Sequence, residues 1–119
     1  MAATTVLVVD DHESFRRVAR MLLEYEGYEV VGEAADGEQA LAAARELRPE
    51  LVLLDVHMPG GIDGFEVLQK LTEGDQPPAV VLTSSRDGTD FDQRVKRSGA
   101  RGFIPKAEIS GQRLANLLR

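Results

Sequence analysis

The chain has 119 residues, no cysteine, and a net charge of −6 from 20 acidic and 14 basic side chains. That length makes one domain with a single buried core, the missing thiols exclude disulfides and thiolate metal sites, and the acidic balance argues against nucleic acid binding by this domain, because a phosphate backbone demands a basic face. No apolar run approaches the ~20 residues of a membrane helix, and Met1-Ala2-Ala3-Thr4-Thr5 lacks the basic segment and apolar stretch of a secretory signal, so a soluble cytoplasmic protein with no membrane attachment is expected.

Taken in order, the segments alternate. Thr5 to Val9 reads as a strand. Ser14 is placed to cap a helix carrying Phe15, Val18, Ala19, Leu22 and Leu23 at helical spacing, and Gly27 to end it. Glu29 to Ala34 is a more polar strand, as suits a sheet edge. Asp36-Gly37 starts a second helix with Ala40, Leu41, Ala44 and Leu47 on one face, stopped by Arg48-Pro49. Leu51-Val52-Leu53-Leu54 is a continuous apolar run, the pattern of a strand buried on both faces. Phe65 to Leu71 is a helix with Phe65, Leu68 and Leu71 inward, broken by Gly74 to Pro78. Ala79 to Thr83 is the fourth strand. Asp87 to Ser98 is a helix with only Phe91 and Val95 as clear apolar anchors, ended by Gly99. Gly102-Phe103-Ile104 is a short fifth strand, and Ile109 to Leu118 a last helix.

Five strands alternating with five helices predict an α/β fold, a doubly wound parallel sheet covered on both faces, with residues 1–119 as a single domain. Pro105 cannot donate to a ladder, so the fifth strand belongs on an edge. The polar second strand takes the other edge, which gives the order 2-1-3-4-5. Strands one and three are then neighbours where the winding direction reverses, the place where open α/β sheets bind ligands. Both strands run straight into acids there: Asp10-Asp11 and Asp55.

Three carboxylates in one crevice repel each other unless a positive group intervenes. A hard divalent cation such as Mg²⁺ takes carboxylate and phosphate oxygens. The lack of a thiol and of a second histidine near His57 disfavours zinc. The fourth strand ends in Thr83-Ser84-Ser85 and the fifth in Lys106. A metal, a hydroxyl and an ammonium around one carboxylate would neutralise phosphoryl oxygens, with the carboxylate as nucleophile. Each element also has a plainer reading. Asp10-Asp11 can cap the first helix, Asp55 a loop, Ser84 a turn, and Lys106 can be solvated.

Val8-Val9-Asp10-Asp11, Leu53-Leu54-Asp55, Met58-Pro59 followed by Asp63-Gly64, Leu82-Thr83-Ser84 and Phe103-Ile104-Pro105-Lys106 together change that balance. Over essentially its whole length the sequence resembles the receiver domain of two-component response regulators. The resemblance implies a flavodoxin-like receiver fold. Members of this family are themselves examples of the order 2-1-3-4-5, so that order follows from the resemblance as much as from the strand edges. It implies Asp55 as phosphoacceptor, Asp11 as direct Mg²⁺ ligand, Asp10 acting largely through water, and the backbone carbonyl of His57 completing the metal shell. It also implies Ser84 as the hydroxyl drawn to the phosphoryl group, Lys106 as its partner, and Phe103 as an aromatic that changes rotamer on activation. His57 and Arg86 fall where the family tunes its rates, and are expected to gate water access to the acyl phosphate; the plainer view is that both are exposed loop residues.

Two departures stand out. Gly60-Gly61 lengthens the loop after Asp55 by one residue, and Ala107 follows Lys106 where many members have a proline and a cis bond. A cis bond without proline costs about 2.5–4 kcal/mol, so a trans Lys106–Ala107 bond is expected.

The resemblance implies a signalling module, not an enzyme acting on a free metabolite. Its phosphodonor is a sensor histidine kinase or phosphotransfer protein. Its output is a downstream protein docked on the fourth helix, fifth strand and fifth helix, or a homodimer formed on phosphorylation. The chain ends in its last helix, so no output domain is expected within it. Three other readings remain: the excised N-terminal half of a DNA-binding regulator, a hydrolase working through an aspartyl phosphate, and a scaffold independent of phosphorylation. The hydrolases usually carry a second acid two residues after the nucleophile, where this chain has His57.

Overall fold

The computed structural model describes residues 3–58, 61–85 and 92–118. Five parallel strands form one sheet in the order β2-β1-β3-β4-β5: β1 (Thr5–Val9), β2 (Glu29–Ala34), β3 (Leu51–Asp55), β4 (Ala79–Ser84) and β5 (Gly102–Pro105). The helices are α1 (Glu13–Tyr25), α2 (Gly37–Leu47), α3 (Gly64–Leu71), α4 (Asp92–Ser98) and α5 (Gly111–Leu118). The predicted class, strand count and order all hold. β3 and β4 each run one residue past the apolar pattern, so Asp55 and Ser84 are strand residues.

Alternation along the strands divides the core. Val6, Val8, Leu51, Leu53, Val81 and Ile104 pack under α1 and α5, with Ala19, Leu23 and Leu114. Leu7, Val9, Val52, Leu54, Val80 and Leu82 pack under α2 and α3, with Ala40, Val67 and Leu68, and Phe103 and Val95 join that side. β3 is buried at every position, because both of its faces are covered and it lies in the middle of the sheet.

Several element details differ from the sequence expectation. α1 begins at Glu13 and not at a Ser14 cap; His12 holds the cap position without a side-chain bond. The reason is upstream, where the Asp10 carboxylate accepts the His12 N–H at 2.8 Å and turns the chain into the helix earlier. Val18 is 55% exposed rather than inward. Val67, not Phe65, is a fully buried residue of α3. The last helix starts at Gly111, after a single 3₁₀ turn over Lys106–Glu108. The Phe91 anchor and the predicted start of the fourth helix lie outside the described residues. All described peptide bonds are trans, including Lys106–Ala107.

Gly27 ends α1 as expected. Its N–H bonds to the Glu24 carbonyl at 3.1 Å and the Tyr28 N–H to that of Leu23 at 2.9 Å, the two bonds of a Schellman cap. Gly27 has φ +97°, and an added Cβ would meet no atom within 4 Å. Gly27→Ala therefore tests backbone conformation alone. It is expected to destabilise the domain by ~1 kcal/mol, read as a lower urea midpoint with an unchanged slope.

Candidate functional site

Asp10 follows the last residue of β1 and is fully buried; its N–H bonds to the Ala34 carbonyl at 3.0 Å. Asp55 ends β3 and is 2% exposed. Both therefore sit at the C-terminal rim, on adjacent strands, where the sheet's winding reverses. Asp11 stands beside them with a side chain 27% exposed. Lys106 reaches in from the end of β5. Its Nζ is 2.5 Å from Oδ2 of Asp10, a close ion pair that is poorly directed as a hydrogen bond, and 3.4 Å from Oδ2 of Asp55. The ring of Phe15 lies under the ammonium, 4.8 Å from Nζ to its centroid.

The backbone after β3 is built around Asp55. The His57 N–H donates to Oδ1 of Asp55 at 3.1 Å, and the Gly64 N–H to the Val56 carbonyl at 3.0 Å. A Cβ on Gly64 would fall 2.3 Å from the Asp55 carbonyl oxygen and 2.7 Å from Cα of Val56. Only glycine lets α3 start against the backbone of Asp55 itself. Asp63 caps that helix, accepting the Glu66 N–H at 2.9 Å. The Asp63-Gly64 pair is thus structural: it clamps the return of the loop.

Burial is the largest influence on the Asp55 carboxyl and the negative charge of Asp10 the next; the His57 N–H and Lys106 oppose them without cancelling them, and its pKa is pushed up to about 6. For Lys106, burial alone lowers the pKa, but its close contact with Asp10 and the charges of Asp55 and Asp10 outweigh it and hold it above the ordinary lysine value. Above pH 6, therefore, Asp55 is mostly ionised and faces a charged ammonium.

Carboxylate oxygens of Asp10, Asp11 and Asp55 and a ring nitrogen of His12 lie within 4.8 Å of one another. Oδ1 of Asp11 is buried and makes no hydrogen bond among the described residues, although Nδ1 of His12 lies 3.2 Å away. Oxygen donors dominate this set, which suits a hard divalent cation such as Mg²⁺. The sequence pattern drew attention to His57 alone; His12 is the histidine whose side chain stands beside these acids.

A family model of the response regulator receiver domain matches residues 6–119. The chain belongs to the response regulator receiver domain family. It is 44% identical over 102 residues to the response regulator GacA of Pseudomonas aeruginosa, covering 85% of this chain and 47% of that protein. It is 41% identical over 103 residues to the virulence-factor transcription regulator BvgA of Bordetella pertussis, covering 87% and 49%. The chain thus spans about half the length of these curated relatives. The signal receiver domain of the response regulator NarL from Mycobacterium tuberculosis superposes with a TM-score of 0.85 at 33% identity, covering 99% of this chain and 98% of that one.

Within this receiver domain, Asp10, Asp11, Asp55 and Lys106 come together as expected from sequence. The main chain of His57 is at the site while its side chain is exposed. Arg86 and Gly60 of the lengthened loop lie outside the described residues. Thr83 and Ser84 are both fully buried, but they differ in direction. Thr83 is the register partner of Asp55, and alternation puts it on the side of Val81, Leu53 and Ile104. Its Oγ1 is buried with no hydrogen bond among the described residues. Ser84 follows the parity of Leu82, on the side where Phe103 packs. The sequence carried a signal for this: counting parity from the buried Val81-Leu82 pair separates the two hydroxyls.

The raised Asp55 pKa makes stability depend on pH. Between 3.8 and about 6 the native state retains a proton that the unfolded chain releases, so stability falls as pH rises through that window. The displacement corresponds to ~3 kcal/mol. In metal-free urea unfolding, Asp55→Asn is expected to be more stable than the native protein by ~1–3 kcal/mol at pH 7.5, with the advantage vanishing toward pH 4. A difference that is constant across that range counts against a raised pKa.

Proposed function

We propose that this receiver domain is a phosphorylation switch: Asp55 accepts a phosphoryl group from a phosphohistidine on a sensor kinase or phosphotransfer protein, in a reaction that depends on Mg²⁺. The observation that carries the reading is a buried carboxylate at the rim, shared through one ammonium with a second buried carboxylate. That arrangement is costly for packing and matches what an acceptor needs.

The chain's own residues divide the work. An Asp55 oxygen forms the new P–O bond as the P–N bond of the donor breaks, and the leaving imidazole takes up a proton from water. Asp10, Asp11, Asp55 and the carbonyl of His57 would hold the cation. Bound there, Mg²⁺ would supply positive charge that offsets the negative charge of the carboxylates and of the incoming phosphoryl group. Lys106, beside Asp55, stabilises charge on the transferring group. For the hydroxyl we favour Thr83 over Ser84, because Thr83 shares the register and the face of Asp55 and has an unused buried oxygen. Ser84 and Phe103 then belong to the relay toward the face of α4, β5 and α5, where a downstream protein or a second copy would dock. His57 and Arg86 tune hydrolysis in this reading, which unchanged dephosphorylation of His57→Ala and Arg86→Ala would overturn.

A second reading concerns the output. The chain spans about half of GacA and BvgA, and BvgA is a transcription regulator by name. We propose that this receiver also serves in a longer, DNA-binding regulator, with the DNA contacts outside this acidic domain. The mass of the native gene product decides between this and a stand-alone switch.

Incubation with Mg²⁺ and acetyl phosphate, followed by intact mass, is expected to show one added phosphoryl group that Asp55→Asn abolishes. Thr83→Ala is expected to slow labelling by on the order of 10²-fold, with Ser84→Ala far less affected. Labelling that survives Asp55→Asn removes Asp55 from its role, and the reverse order of the two hydroxyl variants returns that role to Ser84.

A further inference from the structure

The peptide joining Asp10 to Asp11 links two of the acids at the site. Its carbonyl, that of Asp10, accepts from Nη1 of Arg16 at 2.7 Å. The same guanidinium donates through Nε to Oε1 of Glu33 at 3.0 Å, and the other oxygen of Glu33 is held by Nε of Arg20 at 2.9 Å. Glu33 lies on the edge strand β2, in register with Val8 of β1. The Arg16 N–H in turn bonds to the His12 carbonyl at 3.1 Å. One residue thus grips the acidic turn twice, from its helix backbone and from its side chain. Its side chain is only 16% exposed, and among the described residues it forms no ion pair with Asp10, Asp11 or Asp55.

We infer that Arg16, held by Glu33, is a positioning residue that sets the site's divalent-cation affinity by fixing the Asp10–Asp11 peptide. The inference rests on the phosphoacceptor reading above for its consequence, but its physics is local. A cation needs the carboxylates at fixed separation; the Ala34 carbonyl holds the Asp10 N–H, but the Asp10–Asp11 peptide beyond it leaves the ladder, and Arg16 is what grips its carbonyl. The planar guanidinium fixes the directions of its Nε–H and Nη1–H relative to each other, so orienting it on Glu33 also orients the carbonyl it grips. A lysine is a point charge on a flexible stem and cannot do both. Residues that orient ligands without touching the ion commonly change metal affinity by 10–100-fold.

The test is an amide NMR titration of the metal-free protein with MgCl₂, with acetyl phosphate labelling run in parallel. Arg16→Lys keeps the charge, and Glu33→Gln loosens the clamp from its other end; urea unfolding confirms that both are folded. Expected for Arg16→Lys are a shifted Asp11 amide before any Mg²⁺ is added, Mg²⁺ binding weaker by ~10-fold, and slower labelling that saturating Mg²⁺ restores. Glu33→Gln is expected to move the same readouts less. Unchanged Mg²⁺ affinity in folded Arg16→Lys overturns the inference, as does a labelling defect that saturating Mg²⁺ fails to restore. Native protein that binds Mg²⁺ but is never labelled overturns the phosphoacceptor reading, while the titration still decides the role of Arg16.

Discussion

Asp10 and Asp55 carry two carboxylates almost wholly out of water, and the ammonium of Lys106 is shared between them. An ionised carboxylate loses several kcal/mol of hydration when buried, and a neighbouring like charge adds to that penalty. One lysine cannot satisfy both acids, and Asp11 adds a third nearby. The rest of the domain holds this imbalance in place. Each buried acid lies at or just past the end of a central strand, where backbone ladders fix it. On a flexible loop the same carboxylates would swing apart into solvent and the tension would relax. The rigid sheet therefore preserves a site at which uptake of a proton or a cation would relieve the repulsion.

In the proposed switch, the same sheet would separate chemistry from output. Alternation sends Thr83 to the face of Asp55 and Ser84 to the face where Phe103 packs. The two are joined by one peptide, and the Thr83 carbonyl is bonded to the Val56 N–H at 2.9 Å, next to Asp55. Displacement of the β4 terminus toward Asp55 would carry Ser84 with it and change the space beside Phe103. Such a movement would couple opposite faces of the sheet through a strand end, without a separate path through the core. Gly64 limits the motion on the other flank, since the start of α3 already touches the Asp55 backbone.

Much of this was legible in the residues. Leu51 to Leu54 is apolar without interruption because β3 is central and covered on both faces; a strand with one wet face would alternate with polar residues. Pro105 and the polar β2 marked the edges correctly. Local signals failed where tertiary contacts overrode them. Ser14 is a good cap by type, yet the Asp10 carboxylate turns the chain first. Val18 fits the helical spacing of α1, but the packed face is centred on Ala19 and Leu23. At the site, the resemblance implies Ser84 as the hydroxyl; which of the two neighbouring hydroxyls shares the face of Asp55 is a matter of strand register, and one residue of register reverses the face. The Arg16–Glu33 contact joins residues far apart in sequence, and no local pattern announces it.

Lys106 shows how the domain places its cation without a proline after it. The Lys106–Ala107 bond is trans, and the chain goes directly into a 3₁₀ turn over Lys106–Glu108. Pro105 constrains only the position before the lysine, and no ring follows it to fix the backbone on that side. Its position follows instead from what surrounds the side chain: Asp10 and Asp55 at its tip and the Phe15 ring beneath it. A cation held by charge and by an aromatic face can follow its partners as their charges change. Transfer of a phosphoryl group to Asp55 would move negative charge outward from the carboxylate, and the ammonium can move with it at little backbone cost. In the proposed reaction, the residue that balances the buried acids would then also be the one able to follow a phosphoryl group added to Asp55.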